Sequence, residues 1–171
     1  MLRAALVFAI ALSLGVGAAL ATDITTQWAG VYKFRFQNAL VTGEEYESEN
    51  VLEVVPLDVQ SAYVRAHLEF ANGHSCSLYV VMNVEGDRLV YREPNPPAHR
   101  GQCIVTLDRV GGEMRIDETE ESQCGAAHCG ARGSLRDQRL PVSSQRRIRY
   151  MERLRASVQY DLAMREAGRA P

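Results

Sequence analysis

The side chains with chemical potential fall into three groups. His74-Ser75-Cys76 and Cys124-x4-Cys129, with His128 inside the second, carry thiol and imidazole groups of the kind that hold zinc. A structural zinc needs four such ligands converging as a tetrahedron. The spacing over the whole chain is not that of a paired-cysteine site, so no metal and no cofactor is expected. Cys129 beside His128 could act as an activated nucleophile only while its thiol is free. Ser134 has no histidine near it in sequence, and no G-x-S-x-G occurs. The carboxylate pairs Glu44-Glu45 and Glu120-Glu121 are adjacent in the chain, so they diverge and suit solvated loops. No catalytic residue is assigned, and the chain is not expected to be an enzyme.

The third group is basic. Between Arg139 and Arg155 stand six arginines (Arg139, Arg146, Arg147, Arg149, Arg153, Arg155) against one acid, Glu152. Two readings stay open. The arginines can meet an anionic partner, such as a membrane surface, an acidic polymer or an acidic protein patch. Alternatively they are the solvated face of a helix whose apolar side docks on the rest of the fold.

Residues Met1 to Ala21 fit a secretory signal peptide: Arg3, then an uncharged run from Ala4 to Leu20, then Ala19-Leu20-Ala21 as a small-x-small cleavage pattern. Beyond Ala21 the chain carries 18 basic and 21 acidic residues, a net charge of −3 and too balanced for a nucleic-acid partner. Residues 22 to 97 hold 5 basic and 11 acidic side chains, and the remainder holds 13 and 10. The four cysteines (Cys76, Cys103, Cys124, Cys129) all follow the leader. An even number in an exported chain reads as two disulfides in a periplasmic or secreted protein.

The elements that must position these groups are mostly strands. Val31 to Phe36 alternates, Asn50 to Leu57 is nearly continuous in apolar residues, and Ala62 to Phe70 alternates again with Val64, Ala66, Leu68 and Phe70 on one face. Asn72-Gly73, Glu85-Gly86-Asp87 and Gly111-Gly112 are turn signals, and Pro94-Asn95-Pro96-Pro97 is a sheet-breaking loop. About seven short strands are expected by this pattern, in a mainly β, small antiparallel barrel or sandwich spanning residues 22–140. Residues 141–171 are expected to form a C-terminal α-helix packed on the β domain. It would be capped by Ser143 or Ser144 and run to about Ala167, with Ile148, Met151, Leu154, Val158 and Leu162 as its docking stripe. This layout favours Cys76–Cys103, whose residues fall near one end of the sheet, together with Cys124–Cys129, which closes a tight turn.

Several segments together resemble a known pattern: Gly73-His74-Ser75-Cys76, then Leu89-Val90-Tyr91-Arg92-Glu93, then Gly101-Gln102-Cys103-Ile104-Val105, and finally Cys129-Gly130-Ala131-Arg132-Gly133. They are similar to the β-rich, cysteine-containing domain associated with LprI-type lysozyme inhibitor proteins of the bacterial envelope, over about residues 30–140. The helical inhibitor domain that gives the family its name is absent. The resemblance implies a disulfide-stabilised, periplasmic protein-binding module, with a cell-wall hydrolase such as lysozyme, or another envelope-targeting effector, as its partner. The alternative is a carrier of a small apolar ligand or lipid in a calycin-like barrel interior. For a binding module, two loops are the expected contact surface: the first with His99 and Arg100, the second with His128 and Arg132.

Overall fold

The computed structural model describes residues 23–170, so the expected signal peptide lies outside the described residues. Eight strands form one antiparallel sheet in sequence order: β1 Gly30–Ala39, β2 Glu45–Asp58, β3 Ser61–Glu69, β4 Ser75–Glu85, β5 Arg88–Arg92, β6 Ile104–Val110, β7 Glu113–Glu118 and β8 Gln138–Pro141. The sheet curls into a nearly closed barrel. Closure is made at the base, where Val31 and Arg146 exchange backbone hydrogen bonds of 2.8 and 2.9 Å. Gly30 permits this approach, because a Cβ there would lie 2.7 Å from the Arg146 carbonyl oxygen.

The period-two pattern of the strands sorts side chains onto two faces. Tyr32, Leu52, Val54, Val64, Ala66, Leu68, Leu78, Val80, Met82, Leu107 and Ile116 point inward and are buried in one cluster. An eight-stranded barrel has an interior just wide enough for such side chains to fill. A short helix, α1 (Ile24–Gln27), is capped by the Asp23 carboxylate, which accepts from the Thr25 and Thr26 amides. It delivers Trp28 into the same cluster.

β2, β3 and β4 are also covered on their outer face. Val31, Val55, Tyr63 and Val81 form a second buried cluster with Ile148, Leu154, Tyr160, Ala163 and Met164 from the C-terminal segment. Burial on both faces explains why β2 reads as a continuous apolar run.

The C-terminal segment is not the single helix expected. Val142–Ser144 is a 3₁₀ turn, α3 covers only Met151–Arg155, and α4 covers Val158–Glu166. Helix cannot start at Ser143 because the Arg146 backbone is committed to β1. It breaks again at Ser157, whose hydroxyl caps α4 by accepting from the Tyr160 amide. The break shifts the helical phase. Ile148 and Leu154 dock as expected, but Val158 and Leu162 face solvent, and Tyr160, Ala163 and Met164 take their place.

The cysteine pairing also differs from expectation. The bonds are Cys76–Cys129 and Cys103–Cys124, with Cα separations of 4.0 and 4.5 Å. Cys124 opens a short helix, α2 (Cys124–His128), and Cys129 follows it directly. Five helical residues advance the chain about 7.5 Å, which exceeds the roughly 7 Å Cα limit for a disulfide. Cys124 and Cys129 therefore reach out to different partners, Cys103 and Cys76. β5 meanwhile separates Cys76 on β4 from Cys103 at the start of β6.

Two buried side-chain oxygens, the Tyr63 hydroxyl and one carboxylate oxygen of Glu118, lack a hydrogen-bond partner among the described residues. The Tyr63 hydroxyl accepts and donates no hydrogen bond among the described residues, and burial pushes its phenol well above the ordinary value. Its ring packs edge-on against Tyr160 at 4.9 Å. Removing an unsatisfied buried hydroxyl while keeping the ring relieves a desolvation cost. Tyr63→Phe is expected to raise stability by about 1 kcal/mol in urea unfolding. A loss of similar size would mean that the hydroxyl is satisfied in solution.

Candidate functional site

The connections of the barrel divide unequally between its two ends. At the base, β2–β3, β4–β5 and β6–β7 are joined by tight turns. At the other end lie the long connections, residues 93–103 and 119–137, and both disulfides are there. Cys103–Cys124 ties the two connections to each other, and Cys76–Cys129 ties the second to β4. The Gly130 amide donates to the Ser75 carbonyl at 2.8 Å. Gly133 lies so close to this bond that a Cβ would sit 2.7 Å from Cys76 Sγ. Leu135, fully buried, then plugs the interior from this end. The barrel core is thus occupied by its own side chains, and the exposed chemistry lies on the stapled loops and the outer wall.

The structure places the four expected contact residues differently. Arg132 is exposed, on the stapled turn, and makes no ion pair or side-chain hydrogen bond among the described residues. His99 is exposed in the proline-rich connection. Arg100 is turned inward. It pairs with Glu93, both side chains being largely buried, and donates to the Gln123 carbonyl, so it holds the two connections together. Desolvation acts to raise the Glu93 carboxyl, but Arg100 and the Cys103 amide outweigh it and leave the group below its usual range. His128 is half-buried at the end of α2, edge-on to the Tyr91 ring at 6.4 Å. Burial pushes its imidazole below the ordinary value, so the neutral form is favoured there at pH 7. The loops therefore share one end of the barrel, with Arg132 and His99 presented outward and Arg100 and His128 held within.

A second region was not foreseen from sequence. The outer face of β1–β4 and the C-terminal segment enclose a groove of about 510 Å³ lined by Lys33, Val51, Arg65, His67, Tyr79 and Arg153, among others. Its floor holds Glu53, only 1 % exposed. Arg65 grips both carboxylate oxygens, one at 2.8 Å, and the Tyr150 hydroxyl donates to the same group. Desolvation first, and then this bond, push the Tyr150 phenol up to about 12. The hydrogen bond to Glu53 raises the Arg65 guanidinium above its ordinary value. The available signal was Glu53 itself, a charge inside the apolar run Val51–Val55, directly across from Arg65 on the next strand.

The arginine segment lies beside this groove. Arg146, Arg147, Arg149, Arg153 and Arg155 are all exposed, and Arg153 sits over the Tyr150 ring at 5.3 Å. Among the described residues no group of three or more histidine, cysteine or carboxylate side chains is arranged to hold a metal. No family model, curated protein or solved structure matches the chain.

Proposed function

We propose that this chain is an exported protein-binding module that blocks a cell-wall hydrolase, lysozyme or another envelope-targeting effector, through the disulfide-held loops. The two disulfides are consistent with an oxidising compartment outside the cytoplasm, and the periplasm or the exterior is the proposed place of work. The observation that carries the reading is Arg132. It is an exposed guanidinium without an acid partner among the described residues, and the loop beneath it is fixed by Cys129 on one side and by the glycine contact at Gly133 on the other. A rigid loop loses little entropy on docking. Hydrolases of cell-wall glycans commonly work with a pair of carboxylates, and a planar guanidinium grips a carboxylate with two charge-assisted bonds. His99, on the neighbouring connection, supplies a further polar contact at the same end.

The test is inhibition and co-sedimentation with a panel of lysozymes, using wild type and Arg132→Ala. A stoichiometric complex is expected, weakened at least about tenfold by Arg132→Ala, which corresponds to about 1.4 kcal/mol. The melting temperature should not change, since Arg132 is exposed and makes no ion pair or side-chain hydrogen bond among the described residues. Absence of a complex with every hydrolase tried, or full binding by Arg132→Ala, would overturn this placement.

A further inference from the structure

The fate of the cations in this protein is uneven. The described residues include 18 lysines and arginines. Eleven of them have a carboxylate within 4 Å: Lys33, Arg35, Arg65, Arg88, Arg92, Arg100, Arg115, Arg136, Arg139, Arg165 and Arg169. Seven have none, and five of these seven are Arg146, Arg147, Arg149, Arg153 and Arg155, within ten residues of one another. The only acid in that stretch, Glu152, is itself exposed and pairs with none of them. A chain of net charge −2 that neutralises most of its cations has left one continuous segment bare.

These arginines are also held in place. Ile148 and Leu154 sink into the outer core between them. Tyr150 is fastened to Glu53, and the Arg146 backbone is paired with Val31. Anchors thus recur at residues 146, 148, 150 and 154, and the charges between them project into solvent from fixed points. The next element, α4, adds Val158 and Leu162, which are 69 % and 43 % exposed and four residues apart on one helix face. They are two of the six large hydrophobic side chains exposed on the described protein.

We propose that residues 146–162 form a docking surface for the headgroups of an anionic phospholipid bilayer. Clusters of about four to eight basic residues suffice to hold a protein on an anionic membrane face. Guanidinium forks match phosphate oxygens and keep their charge at every physiological pH. The bare apolar pair on α4 favours a bilayer over an acidic polymer or acidic protein patch, since side chains of this kind can enter the boundary between headgroups and acyl chains. The protein then rests on the membrane by its outer wall.

Sedimentation of the mature chain with lipid vesicles tests this directly. Binding is expected on phosphatidylcholine vesicles containing about 30 % phosphatidylglycerol and not on phosphatidylcholine alone. Raising salt from about 0.05 to about 0.5 M should weaken it at least about tenfold, because exposed charges are screened. The variant Arg147→Gln/Arg149→Gln/Arg153→Gln/Arg155→Gln should lose at least about tenfold with an unchanged melting temperature. Val158→Asn/Leu162→Asn should weaken binding about threefold. Equal binding to both vesicle types, wild-type binding by the quadruple variant, or capture on polyglutamate with none on vesicles would overturn the proposal. Hydrolase inhibition should be unaltered in the quadruple variant, so a failure of one reading does not carry the other with it.

Discussion

Arg65→Ala is expected to destabilise the protein by about 3 kcal/mol, the lower end of what breaking one side of a buried ion pair costs. The cause is not the lost attraction but the carboxylate left behind. Glu53 is almost fully buried and would keep only the Tyr150 hydroxyl as partner. Arg65 itself is partly solvated, which places the loss at the lower end. Replacing both partners with apolar residues, Glu53→Leu/Arg65→Met, should recover most of the loss, because no buried charge remains. Urea unfolding of the three proteins at neutral pH distinguishes these outcomes. A single-variant loss below about 1 kcal/mol would show that water reaches Glu53.

This pair also bears on function. Tyr150 is 97 residues from Glu53 in sequence, and their bond fastens the arginine segment to the barrel. Removing it would let the charges move, so Tyr150→Phe should weaken vesicle binding without removing a single exposed arginine.

How much of this could be read from the chain depends on which forces act locally. Alternation over Ala62–Phe70 correctly placed Val64, Ala66 and Leu68 inside the barrel, because the two-residue period is a property of the strand itself. Asn72-Gly73 marked a turn correctly, and both residues adopt positive φ, 64° and 71°. β8 was missed. It is four residues long, with Leu140 alone buried, and its place is set by pairing to β7 rather than by its own pattern. The C-terminal stripe was right for Ile148 and Leu154 and wrong for Val158 and Leu162, since periodicity assumes an unbroken helix and the cap at Ser157 resets the phase. For the site, residue type located the loops but not the direction of each side chain. Arg100 and Arg132 look alike in sequence, and only the nearby Glu93 turns the first inward.

Removing the Cys76–Cys129 bond, as Cys76→Ala/Cys129→Ala, is expected to cost about 4 kcal/mol, and removing Cys103–Cys124 about 3 kcal/mol. The order follows from loop length. The first bond closes 53 residues and the second 21, and the chain entropy denied to the unfolded state grows with the logarithm of the closed loop. Gly133 also lies against the Cys76 sulfur, and the first bond fixes the turn that leads into the buried Leu135. The binding consequence should follow the same order. Without Cys76–Cys129 the turn carrying Arg132 is no longer held to β4, and ordering it on contact with a partner adds an entropic cost. Without Cys103–Cys124, Arg100 still bridges the two connections through Glu93 and Gln123. Denaturant unfolding and hydrolase inhibition, measured on both double variants, give the two rankings. Equal losses of stability would mean that loop closure does not dominate. Full inhibition by the Cys76→Ala/Cys129→Ala protein, while it remains folded, would mean that recognition does not depend on a fixed Arg132 turn.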